Sequence, residues 1–380
     1  MRILQLVSSF AYSGPAAATL SLAVEQRGLG HDVTLGHDTV RPQGNAFEEG
    51  MGPRVAASGI AVASELALCT KTGPWTWMRD RAALRQRLPN TDVIHVHFSH
   101  DHALAALARG SATRPVLVRT IHSTRSLKAR LGQAWLMKKT DGFIVHAHAT
   151  AEAGARAFGL PRTRFHVVRG PVDTARFWVE HRGKARTAFR EAHRIPQDAP
   201  MVLMTAIFQA GRGQDHVLEA WPAVLQRLPN AVLCFAGLGE RRDVIMEQAR
   251  GVPNVKFVGY LKEDLPLAYA AADVSVLWTM GNDGYGRAML ESMACGTPAL
   301  VPDLPELAEV VDTHHLGATF PPGNVHALGQ RLTALLETPW DAEHATRARR
   351  AMEAHHAGGV IAGLTLDLYT QLLDANTRAV

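Results

Sequence analysis

Two acids, Asp283 and Glu291, stand eight positions apart in the run GNDGYGRAMLESMACG, which spans 281–296. The first sits among glycines. The second falls in AMLESMA, a segment with helical apolar spacing that Gly296 can close. Gly284 and Gly286, flanking Tyr285, let the backbone pass close to a ligand. A helix that starts near Gly286 aims its first N–H groups at an anion, and an acid just beyond that start must avoid the same anion. Carboxylates are natural partners for hydroxyls. Acids on either side of one anion-binding helix start therefore fit a ligand with sugars on both sides of a diphosphate, with Glu291 holding one sugar and Asp283 the other. Such a ligand is a nucleotide sugar.

Other residues fit the same chemistry singly. Arg212 lies between Gly211 and Gly213 after the apolar run MVLMTAIF, where its bidentate guanidinium could clamp a phosphate. The plain alternative is a solvated arginine in a glycine turn. In VSSFAYSGPAAATL a strand ends near Ser9, Ser13 can cap a helix, Pro15 suits its first turn and Gly14 allows close backbone approach. An ordinary strand-to-helix turn explains that segment equally well. His122 follows the run VLVRTI, at the strand end where a doubly wound domain presents functional groups, or it is a surface histidine. HVHFSHDH carries His95 and His97 at period-two spacing, on one face of a strand. No cysteine or acid stands at ligand spacing to them, so buried, hydrogen-bonded histidines are expected rather than a metal site.

These residues need elements to position them. Short apolar runs (RILQLV, DVTLG, DVIHVHF, VLVRTI, GFIVHA, FHVVRG) alternate with amphipathic segments, the pattern of βα units on a parallel sheet. VDTARF and the charged stretch EHRGKARTAFREAHRIPQDAP interrupt the rhythm, which restarts at MVLMTAIF and continues through AVLCFAG, VKFVG, DVSVLW and PALVP. The expected architecture is α/β, with two doubly wound Rossmann-like domains. A chain of 380 residues suits two cores. Ligands bind such sheets at the C-terminal ends of their strands.

Composition limits the function classes. The chain is 47% apolar and 20% charged, with a formal charge of +5. That balance suits an anionic small molecule or a membrane surface and gives no signature of nucleic-acid binding. Cys69, Cys234 and Cys295 are too few, and odd in number, for a disulfide framework, so a reducing cytoplasm is expected. The N-terminus lacks a signal-peptide pattern, and no apolar run is long enough to span a bilayer. STRSLKARLGQAWLMKK repeats Leu127, Leu131 and Trp135 every four residues among Arg125, Lys128, Arg130, Lys138 and Lys139. It reads as an amphipathic helix, packed on the sheet or docked on an anionic membrane surface.

The motifs taken together resemble glycosyltransferase family 4, of the GT-B fold, over nearly the whole chain. The resemblance rests on SGPAAATL, HVHFSHDH, TIHS, VVRGPVD, RGQDHVLEA, FAGLG, DGYGRAMLESMACGTPALV and FPPGNVHAL, in the family's order. It implies a retaining transferase that moves a sugar from a nucleotide-diphosphate donor to a hydroxyl of a glycan, lipid or small-molecule acceptor, in cell-surface polysaccharide or glycolipid synthesis, with no cofactor and no metal. It implies an acceptor-binding domain over 1–172, rejoined by a C-terminal helix at about 362–380, and a donor-binding domain over 173–361. Glu291 would hold the nucleotide ribose and Asp283 the donor sugar. Arg212 and Gly14 would lie at the phosphates, and His122 near the reacting centre. The chain departs from the family where Asp283 replaces a glutamate, where Arg212 replaces the usual lysine, and where Ala206 or Ile207 replaces an arginine. Arg169, Arg287 and His97 are further candidates, the two arginines as substitutes for the missing charge. A nucleotide-binding homologue without catalysis, a sugar-nucleotide epimerase and a phosphorylase are the competing readings; the modest length and the lack of a pyridoxal-lysine motif count against the last.

Overall fold

The computed structural model describes residues 1–40, 50–71, 73–128, 132–281, 284–338 and 340–378. Asp283, Arg130 and Leu131 lie outside the described residues. The chain divides into two compact units, Met1–Pro171 with Gly358–Val380, and Val172–Ala357. Each is an α/β unit built on one parallel sheet.

The first unit contains β1 (Arg2–Val7), β2 (Asp32–His37), β3 (Ala61–Val62), β4 (Val93–Val96), β5 (Val116–Thr120), β6 (Gly142–Val145) and β7 (Phe165–Val167). Their order in the sheet is β3-β2-β1-β4-β5-β6-β7. The sheet is buried on both faces, which explains the near-continuous apolar runs of its strands. Side chains alternate between two cores. Ile3, Val7, Val93 and Val118 pack against the helices Gly14–Gly28 and Gly358–Arg378, the second supplying Ile361, Leu366 and Tyr369. Leu4, Leu6, Ile94, Val96 and Leu117 face the helices Pro74–Arg87 and Ser99–Arg109 on the other side.

The second unit contains β8 (Met201–Thr205), β9 (Val232–Ala236), β10 (Val255–Gly259), β11 (Val274–Val276), β12 (Ala299–Pro302) and β13 (Gly317–Phe320). The order β10-β9-β8-β11-β12-β13 reverses direction between β8 and β11. At such a reversal the connecting helices leave on opposite faces, and the loops after the two central strands part to form a crevice. Trp221, Phe235, Phe320 and Leu332 are buried in this unit's core.

One segment adds to the sequence reading and one corrects it. The charged stretch after VDTARF contains a helix, Arg182–Ala192. Its Arg190 is wholly buried, with Nη2 3.0 Å from Asp273 Oδ2 and hydrogen bonds to the Ala199 and Ala271 carbonyls. The basic stretch at 124–139 is not one amphipathic helix. It contains a short 3₁₀ turn, Thr124–Leu127, and a six-residue helix, Gln133–Lys138, before which Gly132 takes φ +79°. That left-handed residue stops a right-handed helix from running through. Leu127 is buried with Met137 and Phe143, while Trp135 is 46% exposed beneath the Lys139 ammonium.

Candidate active site

Within the second unit, β8 and β11 end side by side, and the loops that follow them carry the candidate donor residues. After Thr205 the chain turns through Ala206–Gly213 into the helix Gln214–Arg227. Phe208 N–H donates to the Leu238 carbonyl at 2.7 Å, and Gln214 Nε2 donates to the Ile207 carbonyl at 3.0 Å. These bonds tie the turn to the β9 loop and to its own helix. Gly213 has φ +83°, and a Cβ there would stand 2.1 Å from Trp278 Cγ. The turn thus rests on Trp278, just past β11, and only glycine fits at the contact. Arg212, the residue before it, is half-buried at the rim.

After β11 come Leu277, Trp278 and Thr279, then Gly284, Tyr285 and Gly286, with the helix Arg287–Ala294 beginning at once. Gly284 and Gly286 take φ +63° and +69°. A Cβ on Gly286 would lie 2.3 Å from Leu307 Cδ2, so the turn demands glycine twice over, by dihedral and by space. Tyr285 is buried against this turn.

Glu291 lies one turn into that helix and is 5% exposed. Arg287 Nε sits 3.1 Å from Glu291 Oε1, and Tyr269 Oη donates to Oε2 at 3.4 Å. Tyr269 is itself 2.7 Å from Thr205 Oγ1, at the end of β8. Burial raises the Glu291 pKa above the ordinary carboxylate value, and the charges of Arg287 and Arg176 partly oppose that rise. The outcome is a desolvated carboxylate with its orientation fixed by a phenol and a guanidinium. Tyr269, Thr205 and Trp278 were not legible as site residues: LAYAAADV and DVSVLW read as plain apolar core, and no spacing signal marks them.

The first unit presents its candidates at the ends of β1, β4 and β5. Gly14 opens the helix Gly14–Gly28, and a Cβ on it would meet nothing within 4 Å. Internal packing therefore does not require glycine at that helix start. Ser13 is the N-cap residue but makes no side-chain cap bond. His97 and His122 are buried, with His97 Nδ1 3.1 Å from His122 Nε2 and His97 Nε2 2.9 Å from Gln5 Oε1. Burial first, then neighbouring imidazoles, pushes the pKa of both histidines well below 6.5, so both are neutral at physiological pH. Asp101 accepts hydrogen bonds from Ser8 Oγ and from the N–H groups of His97 and Phe98, and burial raises its pKa to about 6. Arg169 follows β7 and is half-buried. Among the described residues no group of three or more His, Cys, Asp or Glu is placed to hold a metal ion. No described helix is long and apolar enough to cross a membrane.

Comparison with known proteins gives the class. The profile of Glycosyltransferase Family 4 matches residues 12–176, and that of Glycosyl transferases group 1 matches residues 185–354. The chain belongs to this family and is a GT-B glycosyltransferase, the two profiles together matching nearly all its length. It is 26% identical to a glycogen synthase of Mycobacterium tuberculosis over 71% of this chain and 67% of the relative. It is also 26% identical to a phosphatidyl-myo-inositol mannosyltransferase of the same organism, over 76% of this chain and 75% of the relative. Among solved structures, Anabaena Alr3699/HepE in complex with UDP and glucose superposes with a TM-score of 0.77 at 18% identity, covering 97% of this chain and 99% of that one.

Proposed function

We propose that this glycosyltransferase moves a sugar from a nucleoside-diphosphate donor to a hydroxyl of a glycan or lipid-linked acceptor, with retention at the anomeric carbon. The observation that carries the reading is Glu291: a buried carboxylate with a raised pKa, behind a glycine-forced helix start, at the reversal point of a doubly wound sheet. Burying an acid is costly, and a ligand with paired hydroxyls, such as a ribose, compensates that cost. The relatives point the same way, since the Anabaena protein was solved with UDP and glucose and two relatives are a glycogen synthase and a mannosyltransferase.

In this reading the second unit takes the donor and the first takes the acceptor. Glu291 holds the ribose, and the backbone of Gly284, Tyr285 and Gly286 meets the diphosphate at the helix start. Asp283 grips the donor sugar. Arg212 and the helix start at Gly14 stabilise charge on the departing diphosphate, aided by Arg169 and Arg287, so no metal is required. The bond from the anomeric carbon to the phosphate oxygen breaks, the acceptor oxygen joins the same face of that carbon, and the acceptor's proton goes to the departing phosphate. His122 contacts the donor near the reacting carbon. Assay of a panel of nucleotide sugars, with the anomer of the product read by NMR and EDTA present in a parallel set, tests this. No turnover of any donor, together with retained nucleotide binding, would favour a non-catalytic homologue.

A lipid-linked acceptor would place the work at the inner face of a membrane. Exposed Trp135, with Lys138 and Lys139 beside it, is the feature that favours a peripheral contact with an anionic lipid surface.

A further inference from the structure

His122 ends a buried chain of hydrogen bonds that starts on the C-terminal helix. Tyr369 Oη lies 2.6 Å from His95 Nδ1, and His95 Nε2 lies 2.7 Å from Thr120 Oγ1. Gln26 Nε2 and Gln5 Nε2 each donate to Tyr369 Oη at 3.4 Å, and Gln5 Nε2 also donates to Gln26 Oε1 at 2.9 Å. Gln5 is thereby turned with its Oε1 toward His97 Nε2, and His97 Nδ1 faces His122 Nε2. Every member of the chain is buried, and His122 Nδ1 has no hydrogen-bond partner among the described residues.

A neutral imidazole carries a single N–H, so each bond in this chain dictates the next. With Gln5 Oε1 accepting, the His97 proton is on Nε2. Its Nδ1 is then a bare acceptor that takes the Nε2–H of His122. His122 is left with a lone pair on Nδ1. Reversing every bond would instead leave a buried N–H without an acceptor at Nδ1, and orphaned buried N–H groups are rarer in proteins than orphaned acceptors.

We propose that Gln5 and His97 are positioning residues that hold His122 in its Nε2–H tautomer, with its lone pair on Nδ1. An effect on turnover rests on the reading of His122 as a donor contact; the tautomer does not.

The test is ring-¹⁵N NMR of histidine-labelled protein, with His122 assigned by its loss in His122→Gln. The wild-type spectrum should show the proton on Nε2. His97→Asn places Oδ1 near the position of Nδ1 and should keep that tautomer and most of the activity. His97→Phe should give mixed tautomers and lower kcat about tenfold, the loss of roughly one hydrogen bond to a neutral group, while affinity for free nucleoside diphosphates stays unchanged. An Nδ1–H tautomer in the wild type overturns the relay, as does an unaltered Nε2–H tautomer in His97→Phe. The wild-type spectrum alone decides the tautomer if His97→Phe fails to fold. Full activity of His122→Gln beside a wild-type Nε2–H tautomer would remove His122 from the donor contact and leave the relay intact.

Discussion

Replacing Glu291 by glutamine changes one oxygen to nitrogen and removes one charge at a buried position. Two effects follow, with opposite signs. In binding, a desolvated carboxylate accepting from hydroxyls is worth about 1.5–3 kcal/mol, so affinity for nucleoside diphosphates and for nucleotide sugars should fall together, roughly ten- to hundredfold. Loss of the Arg287 pair cannot account for that much. Arg287 is 45% exposed on its side chain, and an ion pair so wetted contributes about 1 kcal/mol or less. In stability, the folded-state pKa of Glu291 is raised by burial above 4.5. Such a group contributes stability that is fully present below the unfolded pKa and lost as pH rises through the folded pKa. Glutamine does not ionise, so the melting temperature of Glu291→Gln relative to wild type should climb as pH goes from 5 to 8. Calorimetric titration with UDP, GDP and ADP, and thermal melts across that pH range, measure both. Asp283→Ala supplies the contrast, weakening the nucleotide sugar and sparing the free diphosphate. Unchanged affinity for every diphosphate in Glu291→Gln would refute the ribose contact. A melting difference flat with pH would refute the burial argument.

Arg212→Ala should keep a native circular dichroism spectrum and lose on the order of 10²–10³ in turnover, as expected when a group on the departing phosphate is deleted; near-normal activity would remove it from the site. Gly213→Ala forces a Cβ into Trp278 at a left-handed dihedral. It should destabilise by about 2 kcal/mol or more in urea titration and lower activity, through displacement of the Arg212 turn. Liposomes rich in anionic lipid should sediment the protein at low salt and release it at high salt, with Trp135→Ala weakening capture; no capture at low salt would discard the membrane contact.

The fold class was legible because parallel strands buried on both faces leave short, dense apolar runs such as RILQLV and AVLCFAG, and their alternation with helices admits few architectures. Glycines were equally informative. Gly284 and Gly286 mark points of close backbone approach, and the structure adds that the dihedral favours glycine at both and that packing demands it at Gly286. Failures arose where local composition conceals a tertiary partner. EHRGKARTAFREAHRIPQDAP shows in sequence only its charge and a break in the strand–helix rhythm, yet Arg190 is interior because Asp273, far along the chain, neutralises it. The spacing of Leu127, Leu131 and Trp135 promised one helix, and Gly132 interrupts it with a single dihedral. Tyr269 and Tyr369 sit at apolar helix positions, and nothing near them in sequence announces that their hydroxyls reach Glu291 and His95. Hydrogen bonds between residues as distant as Gln5 and Tyr369 have no periodic trace.

The helix Gly358–Arg378 completes the core that Ile3, Val33 and Val93 begin, yet the whole of the second unit precedes it in the chain. On the ribosome the sheet of the first unit emerges early and waits with one apolar face only partly covered, by the helix Gly14–Gly28. The second unit is contiguous in sequence and can finish folding first. The early sheet is then the species exposed to chaperones and to aggregation, and the interval lasts as long as residues 172–357 take to be made. A stop codon ahead of residue 358 would thus leave the second unit sound and the first without the helix that closes one of its faces. Slow synthesis across the second unit should lower the soluble yield of the full chain without altering the stability of the molecules that do fold.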